Sequence, residues 1–133
     1  MSVHPRLPDW EPRLAAYLSS IHGVPFRYGA MDCMLFVVGA AEAMTGHDHG
    51  RGWRGYRTRT EGLRKCRARG FQSHVDLAAD FWPEVPLSQA RPGDVVELEG
   101  QSMGVLQGTL IYALGPQGLG LASRSLALRA FSV

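Results

Sequence analysis

The segment CMLFVVGAAEAMT, residues 33–45, constrains this chain more than any other. Its spacing predicts a helix on which Leu35, Phe36, Val37, Val38, Ala40, Ala41 and Met44 cover most of the circumference. A helix that is apolar nearly all round has to be buried. The fold must therefore supply partners on every side of it. Asp32 stands before the run as an N-cap, and Gly46 follows it as a stop. Glu42 interrupts the run, which is also too short to cross a membrane.

The partners can be read on both sides. Asp9 followed by WEPRLAAYLSSIHG predicts a capped helix, with Pro12 in its first turn and Leu14, Tyr17, Leu18 and Ile21 on one face. Thr58 with Glu61 has the spacing of a capping box for a helix that ends near Gly70. Ser73 with Asp76 predicts another helix, to about Phe81, before Pro83 and Pro86 break the pattern. From Gly93 onward the segments 94–99, 103–108, 109–114, 118–123 and 126–133 are short, apolar and separated by turn residues. Gly115-Pro-Gln-Gly118 predicts a hairpin turn. Helices first and strands afterwards predict an α+β fold, with N-terminal helices packed on a C-terminal antiparallel β-sheet. A chain of 133 residues fits a single domain, 1–133, with a helical part 9–82 and a sheet part 93–133.

The net charge is +2, but residues 51–69 hold eight basic side chains and one acid, Glu61. That segment carries +7 and leaves −5 on the remainder. Arg with interleaved Trp and Tyr is the composition of a protein docking surface, of a solvated helix face or of a nucleic-acid contact. The acidic remainder and the lack of a nucleic-acid motif weigh against the last. Arg51, Trp53, Arg54, Tyr56, Arg57 and Arg59 are the expected interface residues. Cys33 and Cys66 lack a disulfide framework or a CxxC spacing and are read as thiols. His47, Asp48 and His49 offer metal-ligand atoms, yet their spacing alone, without a second cluster, predicts a surface loop. Neither a metal nor a cofactor is expected. The first ten residues lack a signal pattern, so synthesis in a cytoplasm without a leader is expected.

The chemistry lies at Cys33. A cysteine on the first residue of a helix faces unsatisfied N–H groups and the positive end of the helix dipole, which favour a thiolate. Cys33 is thus a candidate nucleophile; its alternative is a small residue in a helix–sheet interface. A cysteine nucleophile needs a histidine partner and a group to orient that histidine.

Tyr28-Gly29, Asp32-Cys33, Phe36 and Gly93-Asp94-Val95-Val96 together resemble the NlpC-type papain-like cysteine peptidases. That resemblance implies a papain-like, NlpC-like fold and an activity on peptide stems of bacterial cell wall. PFRYGAMDC, TGHD, RGYR and GPQGL…LALRAF also resemble a compact family found in tailed phages. This implies a virion protein of a siphophage tail tip, beside hub proteins. Two departures stand out. Met34-Leu35 replaces the family's Ser-Gly, and alignment of Gly104-Val105 puts Ser102 where the family has its histidine. The third polar position falls near Ala113 or Leu114, and no histidine follows His74. His22 is then the expected substitute base. The leading expectation is a structural tail-tip component on a degenerate NlpC-like fold, with Cys33 vestigial. The alternatives are an active cysteine peptidase or amidase that cleaves cell-wall peptides, and a module that binds such peptides without cutting.

Overall fold

The computed structural model describes residues 4–133; residues 1–3 of the expected domain lie outside the described residues. Four helices come first: α1 (Trp10–Ile21), α2 (Cys33–Thr45), α3 (Arg59–Ala68) and α4 (His74–Phe81). The strands follow: β1 (Glu84–Val85), β2 (Val95–Leu98), β3 (Ser102–Gln107), β4 (Leu110–Gly115), β5 (Gly118–Ser123) and β6 (Arg129–Phe131). They form one antiparallel sheet in the order β1-β6-β2-β3-β4-β5. The fold is α+β.

Helix α2 is the centre of the core. Met34 through Val38, Ala40, Ala41 and Met44 are all buried. Val95, Met103, Val105 and Phe131 from one face of the sheet pack into the same cluster. Each large apolar side chain enclosed there contributes about 1.5–3 kcal/mol. Helix α1 covers the other flank with Leu14, Leu18 and Ile21. Tyr17 crosses from α1 to α2, where its hydroxyl donates to the Phe36 carbonyl at 2.8 Å. The opposite sheet face buries Val96, Leu98, Leu106, Ile111 and Ala130 under the segments around Val85, Ala90 and Ala127. That second apolar face explains why β2 reads as a continuous run, Val95-Val96, rather than an alternation.

The caps follow the sequence with one exception. Asp32, Thr58 and Ser73 each accept a backbone N–H at their helix starts. Asp9 makes no such bond; its carboxylate accepts from Arg13 Nε at 2.8 Å instead. An exposed i,i+4 ion pair has replaced the cap there. The Pro-flanked Glu84–Val85 pair also joins the sheet, antiparallel to β6. It is too short to leave a periodic signal.

Asp94, from the Gly-Asp motif, holds both ends of the described chain. Its carboxylate accepts from Arg6 Nη2 at 2.8 Å, from the Val133 N–H at 3.1 Å and from the Arg91 N–H at 3.0 Å. The guanidinium also donates to the carbonyls of Val133 and Pro92. Burial pushes the Arg6 pKa down, and the Asp94 carboxylate opposes that shift. Removal of one partner from so buried a pair leaves an uncompensated charge, which costs about 3–5 kcal/mol. Asp94→Asn is therefore expected to lower Tm by on the order of 10 °C in a thermal melt; a change below about 2 °C would show that the pair contributes little.

Candidate functional site

The loop before Cys33 is built around one carboxylate. Arg27 and Met31 pair through two backbone hydrogen bonds of 2.9 Å and fold Tyr28-Gly29-Ala30 into a tight turn. Asp32 then caps α2: Oδ1 accepts the Leu35 N–H at 2.9 Å. Oδ2 accepts the Gly29 N–H at 3.0 Å and the hydroxyl of Tyr56. Burial and the hydrogen bond to Asp32 push the Tyr56 pKa up, so this hydroxyl stays a donor. Gly29 has φ +76°, and a β-carbon on it would lie 1.8 Å from the Tyr56 carbonyl oxygen. Only glycine lets the 51–57 loop approach this closely.

Two helix starts meet at the site. Cys33 is the first residue of α2 and His74 the first of α4. Cys33 Sγ lies 3.8 Å from His74 Nε2. The expected base, His22, is exposed at the end of α1, where its carbonyl is 3.0 Å from the position of a β-carbon on Gly118. It takes no part in the site. Ser102 stands at the start of β3 and lines the same cavity, so the strand position expected for histidine is at the site but holds a hydroxyl. The imidazole comes from a helix instead.

The backbone carbonyl of Gln101 faces both members of the pair. It contacts His74 Nε2 and lies 4.0 Å from Cys33 Sγ. A carbonyl oxygen can only accept, so Nε2 carries the proton in this arrangement. Gln101 has φ +61°, next to Gly100 at +74°, which turns that carbonyl into the site. The thiol is not the helix-end thiolate that its position predicts. Burial, and then the charge of Asp32, push its pKa up to about 11. The backbone N–H groups of Met103, Met34 and Cys33 act in the other direction and are outweighed. A thiol that titrates near 11 is ionised at pH 7 to only about one part in 10⁴.

The pair opens into a cleft of about 250 Å³. Its walls are mostly apolar and include Phe26, Trp53, Leu63, Phe81 and Leu114. An apolar cleft with a few convergent polar groups is the usual form of a small-ligand site. The basic segment supplies one wall, so part of the expected docking surface turns inward. Tyr56 reaches Asp32, while Trp53 packs against Phe71 with Arg69 4.3 Å above its ring. Both are half-buried, whereas Arg51, Arg54, Arg57 and Arg59 remain exposed.

Residues 5–133 match the family described as a domain of unknown function (DUF6950). The chain belongs to this family. A comparison with curated proteins finds no match. In this DUF6950 chain both cysteines are free, with Cys33 half-buried and Cys66 buried. No helix among the described residues is long and apolar enough to cross a membrane. Among the described residues there is also no group of three or more His, Cys, Asp or Glu side chains that could hold a metal ion.

The histidines of the GHDHG loop stack instead. His47 lies on His4 at 3.7 Å between centroids, and His49 lies on Phe81 at 4.6 Å. Burial, then the neighbouring His47 and His4, push the His49 pKa down to about 4, against the opposing charges of Asp48 and Asp80. The unfolded chain therefore takes up this proton first, as pH falls below 6.5. Stability from this residue is lost between pH 6.5 and about 4. His49→Phe keeps a ring on Phe81 and removes the titration. Melts at pH 7.5 and 4.5 should show a smaller acid-induced drop in Tm for the variant than for the wild type. Equal drops would rule out His49 as a source of the acid sensitivity.

Proposed function

We propose that the protein is a papain-type cysteine hydrolase, a peptidase or amidase in which Cys33 is the nucleophile and His74 the general base and acid. The observation that supports this is the 3.8 Å approach of His74 Nε2 to Cys33 Sγ at the mouth of an apolar cleft. The resemblance to the NlpC-type peptidases supports peptides of bacterial cell wall as substrates. The resemblance to the compact phage family supports a siphophage tail tip as the setting, with hub proteins as neighbours.

With so basic a thiol, a preformed ion pair is not the reactive form. For His74 to act as a base, its ring proton first moves from Nε2 to Nδ1 by exchange with water, which breaks the contact with the Gln101 carbonyl and leaves an Nε2 lone pair facing Cys33. The Cys33 proton then passes to Nε2 as the sulfur attacks the carbonyl carbon. The backbone N–H groups around the sulfur are donors for the developing oxyanion. His74 gives the proton to the leaving amine as the C–N bond breaks, which leaves a thioester. Water attacks that thioester with His74 again as base, and the acid and the Cys33 thiol are released.

A second reading has its own support. The high pKa of Cys33 and the Gln101 carbonyl on His74 describe a resting site, which suits a structural tail-tip subunit docked through exposed Arg51, Arg54 and Arg57. Turnover separates the two. The purified protein, incubated with cell-wall stem peptides and followed by mass spectrometry, is expected to release an amine and a shortened peptide. Cys33→Ala should abolish this, His74→Ala should slow it by about 10²–10⁴-fold, and His22→Ala should leave it unchanged. No turnover by the wild type, or turnover that survives Cys33→Ala, would overturn the hydrolase reading and leave the docking role.

A further inference from the structure

The hydrolase reading leaves the +7 segment unexplained. Helix α3 turns one face to the cleft, with Arg59, Gly62, Leu63 and Cys66 at i, i+3, i+4 and i+7. Trp53 and Tyr56 from the preceding loop continue the same wall. The most basic stretch of the chain is thus the side of the cavity that holds Cys33 and His74.

The cations along this wall are not equivalent. Arg54 is held by Asp48 in two hydrogen bonds of 2.9 and 3.0 Å. Arg69 lies over the Trp53 ring. Lys65 donates to the Arg54 carbonyl. None of the segment's other seven cations lines the cavity. Arg59 does line it, is exposed, and has no acidic partner within ion-pair distance among the described residues. The carboxylate in the cavity wall, Asp32, is already engaged by the α2 cap, Gly29 and Tyr56. A free guanidinium at an apolar cleft is a fork for a ligand carboxylate, with two parallel N–H donors.

We infer that Arg59 is a specificity-determining residue, and that it selects substrates bearing a carboxylate near the bond presented to Cys33. This rests on Cys33 being the reacting centre, but not on hydrolysis. Alkylation of Cys33 therefore reports the role of Arg59 directly. Iodoacetate and iodoacetamide differ by a carboxylate in place of an amide, and both react at the sulfur. Their rates at Cys33, resolved from Cys66 by peptide mapping, give a ratio that cancels changes in thiol reactivity.

Arg59→Gln is expected to lower the iodoacetate-to-iodoacetamide ratio about three- to tenfold, with the iodoacetamide rate unchanged. Arg59→Lys should retain part of the ratio. In the wild type the ratio should fall as salt rises from 0.05 to 0.5 M, as screening requires. The Thr58–Glu61 cap does not use the Arg59 side chain, so the variants retain their helix start; circular dichroism checks this. An unchanged ratio in Arg59→Gln overturns the inference even if stem peptides are cleaved. A ratio that depends on Arg59 in a protein that cleaves nothing sustains it and removes the hydrolase reading alone.

Discussion

The site depends on the carboxylate of Asp32. It is a buried group with three donors around it: the Leu35 N–H, the Gly29 N–H and the Tyr56 hydroxyl. These donors come from the start of α2, from the turn before it and from the basic loop after it. One carboxylate thereby fixes the helix that carries Cys33, the loop that leads into it and the wall opposite. The same charge acts on Cys33 next door, where it adds to burial and keeps the thiol protonated. The group that builds the site also suppresses its thiolate.

That balance decides which chemistry is available. The helix start offers N–H groups to the sulfur, and a cysteine there would be acidic in an open setting. Inside this cleft desolvation is the larger effect, and the backbone donors only moderate it. A neutral thiol can still be a nucleophile if its proton leaves during the attack. A base within reach is then needed, and His74 is at 3.8 Å. The Gln101 carbonyl contacts the same ring nitrogen, so a shift of the ring proton to Nδ1 has to precede any transfer from the Cys33 thiol to Nε2.

Much of this frame was legible in the chain. The run 33–45 carries apolar residues on every face, and such a pattern has one solution, burial at the centre. Asp32, Thr58 and Ser73 announce helix starts because short oxygen-bearing side chains satisfy orphan N–H groups locally. The 115–118 turn is equally local. His74 was not legible, because its role depends on a long-range approach between two helix starts. The strand alignment points to Ser102 instead, and proximity in sequence to His22. A signal was nevertheless present: Asp32-Cys33 and Ser73-His74 are both a cap followed directly by a reactive side chain. The inward turn of Trp53 and Tyr56 was hidden for a similar reason. Composition reads a basic-aromatic stretch as surface, while Gly29 and Asp32 supply the close contacts that pull it in.

The central claim is that His74 serves Cys33 as a base. It is tested most directly by the rate at which Cys33 is acylated by an activated ester, followed by intact mass across pH in the wild type and in His74→Ala. The prediction is a His74→Ala rate lower by about 10²-fold or more at neutral pH, with the two profiles converging near pH 11, where the thiol ionises unaided. Superimposed profiles over the whole range would contradict it and reduce the pair to a packing contact.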